Sequence, residues 1–166
     1  MNVFSNANID NNIHLFADSS SILLVDDEID ILSVISRQLQ EYGFNTRCFT
    51  KPGIALEHYK ASSNAHNLII SDLQIPKMNG FEFVRKAKEI NSTVKVFLMT
   101  CFETDDLELS LLSINSSSSS PLTTKLIVDE FIRKPFSIEN LIMLINTHNI
   151  MMNRTKGPIV PPMALL

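Results

Sequence analysis

The sequence predicts a doubly wound α/β fold, with one parallel sheet of five strands and helices on both faces. Three observations predict it. Short continuous apolar runs such as SILLV and NLIIS read as strands buried on both faces. Each is followed by a segment whose apolar residues recur at helical spacing. Several of the runs end directly on an acid or a hydroxyl, at the edge where open α/β sheets place their sites.

Taken in order, residues 1–20 are rich in Asn, Ser and Asp, with too little apolar surface to offset the entropy of ordering them, and are expected to form a flexible arm. SILLV (21–25) is the first strand. The stripe Ile31, Val34, Ile35, Leu39, Tyr42 predicts a helix from Ile29, closed by Gly43 in a left-handed cap. FNTRCF (44–49) is the second strand. Thr50 and Pro52 open a second helix to about Tyr59. NLIIS is the third strand, and 80–90 the third helix, with Phe81, Val84 and Ala87 inward. VKVFLM is the fourth strand.

ETDDLELSLLSI, with acids in its first turn, predicts a fourth helix. The serine-rich stretch at about 115–125 reads as a surface loop. The later part of LIVDEFI gives the fifth strand, and SIENLIMLINTHNI a fifth helix capped by Ser137. Residues 151–166, with three prolines, are expected to be a tail. The organisation is therefore an arm at 1–20, one domain at 21–150 and a tail at 151–166. The tail is too short for a DNA-binding or catalytic module.

Composition excludes several functions. A formal charge of −4 supplies no large basic field for duplex nucleic acid or an anionic membrane. No apolar run approaches the ~20 residues of a membrane span, and the N-terminus lacks a leader pattern, so a cytoplasmic location is expected. Cys48 and Cys101 are too few for a disulfide framework or zinc motif and are expected in the core. His14, His58, His66 and His148 lack metal-ligand spacing and read as surface or packing residues.

The strand ends carry the chemistry. Asp26 and Asp27, Asp72, Thr100 and Lys134 stand just past the first, third, fourth and fifth strands. Carboxylates crowded there repel by about 4 kcal/mol per close pair at an effective dielectric near 20. Positive charge must offset them. Lys134 supplies one, and an all-oxygen ligand set favours Mg2+ or Mn2+ over zinc. An ionised Asp so placed is a nucleophile toward phosphorus. Singly, these residues have plainer readings: a helix cap for Asp26 or Asp27, a turn for Asp72, a strand end for Thr100, a solvated lysine. It is their common register that favours a site.

These residues resemble the receiver domain of two-component response regulators. VDDE, SDLQIPKMNG, MT and FIRKPF match its pattern in order across about 21–150. The resemblance implies a flavodoxin-like (βα)5 three-layer sandwich with strand order 2-1-3-4-5. It implies a stand-alone receiver of the chemotaxis-regulator type, in which Asp72 is the phospho-acceptor. Asp26, Asp27, Asp72 and the backbone carbonyl of Gln74 would hold Mg2+, with Asp26 acting mostly through water. Lys134 would pair with the phosphoryl group, Thr100 would bind it, and Phe131 would be the switch aromatic, though a core role serves Phe131 equally well. Pro135 would follow a cis bond.

The donor would be a sensor histidine kinase or a phosphotransfer protein, and the output a protein contact made by a monomer or weak homodimer. The protein would catalyse only its own phosphorylation and dephosphorylation. Three positions depart from the pattern: Cys101 replaces a smaller residue, and Gln74 and Phe102 occupy positions that tune dephosphorylation. Phe102 cannot orient water, which implies a long-lived phosphoryl state. The serine-rich insertion lies in the usual dimerisation region. Two rival readings are a phosphorylation-independent scaffold and an Asp-nucleophile phosphatase. The latter typically carries a second Asp where this chain has Gln74.

Overall fold

The computed structural model describes residues 21–101 and 127–150. Strands β1 (Ser21–Val25), β2 (Asn45–Phe49), β3 (His66–Asp72), β4 (Lys95–Thr100) and β5 (Glu130–Arg133) form one sheet of order β2-β1-β3-β4-β5. All four pairings are parallel. The described helices are α1 (Ile29–Glu41), α2 (Pro52–Ser62), α3 (Gly80–Ile90) and α4 (Ile138–Thr147). The helix expected after β4, the serine-rich loop, the arm, the tail and Phe102 lie outside the described residues.

Alternation along the strands divides the core in two. Leu23, Val25, Ile69, Val96 and Leu98 face one layer, with Ala55, Leu56 and Tyr59 of α2 and Phe83, Val84 and Ala87 of α3. Ile22, Leu24, Leu68, Ile70, Phe97 and Met99 face the other, with Leu32, Ile35 and Leu39 of α1 and Leu141 and Ile145 of α4. Continuous apolar strands are required because each side of the sheet buries a layer.

Local sequence sets the helix ends. The Asn79 side chain accepts a 2.9 Å bond from Glu82 N–H at the start of α3, and Ser137 accepts one of 3.2 Å from Asn140 N–H at α4. Gly43 has φ 83°, as a left-handed cap requires. At α2 Pro52 is the first helical residue, but Lys51, not Thr50, holds the cap position. That helix also runs on to Ser62 before a short turn.

Two expectations are corrected. The buried row of α1 is Leu32, Ile35 and Leu39, whereas Val34 is 57% exposed and Ile31 only half-buried. Val34 stands about 100° around the helix from Ile35, off the row. The cysteines are both exposed rather than in the core. Cys48 lies on edge strand β2, which contacts the rest of the sheet on one side only, and Cys101 has just left β4.

Candidate functional site

Backbone hydrogen bonds carry the sheet past its strand ends and so position the polar residues there. Asp26 N–H donates to Phe49 O (3.2 Å), Leu73 N–H to Met99 O (2.9 Å) and Lys134 N–H to Thr100 O (2.7 Å). Asp26, Asp72, Thr100 and Lys134 are thereby held at one edge. The Lys134–Pro135 bond is cis.

Lys134 joins the two buried acids. Its Nζ lies 2.8 Å from Asp26 Oδ2 and 2.8 Å from Asp72 Oδ1, with the three side chains only 14%, 1% and 10% exposed. Each carboxylate turns its other oxygen to a backbone N–H two residues on. Glu28 N–H donates to Asp26 Oδ1 (2.9 Å) and Gln74 N–H to Asp72 Oδ2 (2.8 Å). Burial works against the Lys134 ammonium, but hydrogen bonds and charge from Asp26 and Asp72 outweigh it and hold its pKa above the ordinary lysine value.

Asp27 is exposed and takes no part in the Lys134 ion pairs. Thus two of the three acids are gathered, and the third stands beside them in solvent. Thr100 is 2% exposed at the end of β4. It shares a sheet face with Leu98, whose partner on β5 is Phe131. Phe131 is half-buried, packs against the same core layer and has its ring 6.2 Å from that of Phe81. Its contacts are those of a core residue. Gly80 also serves the site: a Cβ there would collide with Asp72 O and come within 2.9 Å of Leu73 Cα, so only glycine allows α3 to start this close to the end of β3.

The residues fit a hard divalent cation. Two buried carboxylates against one ammonium leave a negative balance, Asp27 adds to it, and every donor is oxygen. Each oxygen of Asp26 and Asp72 accepts a single bond from protein and retains acceptor capacity.

The sequence reading missed what lies beside this edge. A groove of about 500 Å3 runs between α1 and the segment after β5, lined by Ile31, Val34, Ile35, Cys101, Pro135 and Phe136, and Lys134 is also part of its lining. The sequence carries no clear signal of it, because Val34 contributes to the helical period whether or not it is covered.

The family model described as the response regulator receiver domain matches residues 22–146. The transcriptional regulatory protein PgtA of the phosphoglycerate transport system of Salmonella typhimurium is 30% identical over 131 residues, 77% of this chain but only 28% of PgtA. The response regulator receiver protein CpdR of Brucella abortus is 26% identical over 121 residues, 73% of this chain and 89% of CpdR. Among solved structures, a response regulator receiver domain protein from Clostridium thermocellum superposes with TM-score 0.64 at 26% identity, covering 77% of this chain and 92% of that one.

Proposed function

The chain belongs to the response regulator receiver family, and from that premise we propose that Asp72 accepts a phosphoryl group from a phosphohistidine and that the product signals through altered protein contacts. The observation that supports this best is the setting of Asp72, whose side chain is 10% exposed with one oxygen 2.8 Å from an ammonium and the other on a backbone N–H. Such a carboxylate is held in one orientation, with positive charge already in place for the oxygens of an incoming phosphoryl group.

In the transfer an Asp72 oxygen attacks phosphorus, a P–O bond forms, and the P–N bond of the donor breaks. The departing imidazole keeps the bonding electron pair. Lys134, swinging from Asp26 toward the new group, pairs with a phosphoryl oxygen. Thr100 donates a hydrogen bond to another, and Phe131 follows Thr100 inward. Asp26, Asp27, Asp72 and the Gln74 carbonyl would hold Mg2+ or Mn2+, which when bound supplies the charge that offsets the phosphoryl oxygens.

Receiver domains work with histidine kinases, and the groove whose lining includes Lys134 is the approach for so large a donor in this reading. In this reading the domain is a phospho-acceptor that catalyses only its own phosphorylation and dephosphorylation in the cytoplasm. No described helix is long and apolar enough to cross a membrane. Labelling with a small phosphodonor and Mg2+ tests the assignment: wild type should incorporate phosphate and Asp72→Asn should not. Equal incorporation by both removes Asp72 as the acceptor.

A further inference from the structure

At the opposite edge of the sheet two imidazoles face each other. His66 opens β3 and is 2% exposed, while His58 is half-buried on α2, and their Nε2 atoms are 3.0 Å apart. Ser21 Oγ donates to Ala65 O at 3.2 Å and lies 2.8 Å from His66 Nδ1. A hydroxyl has one proton, so with that proton on Ala65 O it is Nδ1 of His66 that carries a hydrogen and donates it to Ser21. Nε2 of His66 is then a lone pair aimed at His58. Likewise the Ser62 hydroxyl donates to His58 O (2.8 Å) and turns its lone pairs to His58 Nε2 at 3.2 Å. The single proton between the rings therefore sits on His58.

An imidazole whose Nδ1–H is fixed by a protein oxygen while Nε2 is presented as a lone pair is arranged as metal-ligating histidines are. We propose that His58 and His66 form a two-nitrogen site for a divalent transition metal of the Zn2+, Ni2+ and Cu2+ class, the metal replacing the proton between the two Nε2 atoms. With metal–nitrogen bonds of about 2.05 Å, a 3.0 Å separation puts the metal to one side of the Nε2–Nε2 line at an angle of about 94°, so both rings turn toward it, and opening by about 0.3 Å makes the angle tetrahedral. His58 passes its proton to Nδ1 through solvent, so its ring stays neutral. The Ser62 hydroxyl is close enough to take a further position, and water fills the rest.

The chemistry narrows the ligand. Burial, with Arg47 acting the same way, pushes His66 down to about 4, so its ring is neutral, and with Nδ1 carrying its one hydrogen Nε2 is left as a lone pair. Arg47 works against any cation held only by its field. That favours metals bound through imidazole nitrogen and disfavours Mg2+ and Ca2+. Among the described residues no third His, Cys, Asp or Glu completes the set, so coordination positions stay open to water. The site is distinct from the acids: His66 and Asp72 are the two ends of β3, about 20 Å apart at ~3.3 Å per residue.

The test is a Zn2+ titration of the full chain in excess Mg2+, followed by long-range 1H–15N spectra of the histidine rings. One equivalent of Zn2+ should move Nε2 of His58 and His66 together while Nδ1 of His66 keeps its proton, and His58→Ala should weaken binding by about tenfold or more. His58 is on a half-buried helix position, and Mg2+-dependent labelling of Asp72 in the variant shows that it is folded. Absence of Zn2+ uptake by the wild type, binding that leaves both Nε2 signals unmoved, or equal affinity in folded His58→Ala overturns the proposal.

Discussion

The two edges of the sheet carry the same kind of ion cluster with the charges exchanged. At the carboxyl edge one ammonium, Lys134, lies between two carboxylates, Asp26 and Asp72. At the amino edge one carboxylate, Asp129, lies between two ammoniums, 2.7 Å from Lys95 Nζ and 3.4 Å from Lys88 Nζ. Asp129 Oδ2 also accepts Val96 N–H at 2.9 Å, and Lys88 donates to Val94 O. The amino-edge acid is saturated by donors from α3 and β4, and its excess charge is a lysine that reaches backbone or solvent. The carboxyl-edge acids share one donor side chain, and the excess charge is negative. The first arrangement pins α3 and β4 to the chain entering β5. The second leaves oxygen lone pairs and a negative field, as a phosphoryl-accepting site that takes up a cation requires.

Exchanging the lysine tests the reactive edge. Lys134→Met should lower phosphoryl incorporation at Asp72 by about 100-fold, roughly 2.8 kcal/mol in barrier, because it removes a charge that stabilises the transferring group. Rates with a small phosphodonor at saturating Mg2+ measure it, and an unchanged rate would mean that Lys134 serves only packing. At the amino edge Asp129→Asn should cost about 2 kcal/mol of stability in urea unfolding, by removing the negative charge between two part-buried ammoniums and one of the two oxygens that accept from Lys88, Lys95 and Val96 N–H. Labelling of Asp72 should be unaffected. If Asp129→Asn impairs labelling while leaving stability intact, the contrast between the edges is wrong.

The pH dependence should separate the same two variants. For Asp129 burial acts upward, but the bonds from Lys95 and Val96 N–H and the charge of Lys88 outweigh it, so its folded pKa lies below the ordinary 3.8. Its contribution is present above 3.8 and lost as pH falls through the folded value. The stability gap between wild type and Asp129→Asn should close in acid. Lys134 is shifted above 10.5, so its contribution is complete below 10.5 and lost as pH rises through the folded value. The gap between wild type and Lys134→Met should close in alkali. Urea midpoints from pH 2 to 12 would reveal either gap closing at the wrong end.

How legible each edge was in the sequence follows from distance along the chain. Asp72 and Asp26 follow directly on apolar runs, so the period of the strands placed them, and the parallel fold then required their meeting with Lys134, 108 residues from Asp26. Lys88, Lys95 and Asp129 stand among ordinary surface charges, and only strand register brings residues 41 and 34 positions apart together. His58 and His66, eight apart on a helix and the next strand, fit no ligand spacing because the turn 63–65 folds one back over the other. The helix α1 was legible as a helix but not in phase, since an apolar residue beside the buried row contributes to periodicity whether or not it is covered. Cysteine placement failed for a related reason: the type is usually buried, but an edge strand and a strand exit expose it.

That last misplacement supplies the smallest and most selective perturbation. Cys101 is exposed and lines the same groove as Lys134. In a Cys48→Ser background, where Cys101 is the one remaining cysteine of the chain, alkylation with a maleimide adds bulk in that groove without touching the carboxylates. A small phosphodonor should still reach Asp72 at nearly the unmodified rate, whereas a protein phosphodonor, which on the proposed function seats a phosphohistidine through the groove, should slow by a factor of about 3 to 10, or roughly 1 kcal/mol. Equal slowing with both donors would place the added group across the path of the phosphoryl itself. No slowing with either would mean that the protein donor approaches from elsewhere, and the openness of the carboxyl edge would then have to be sought on the side of exposed Asp27 and Gln74.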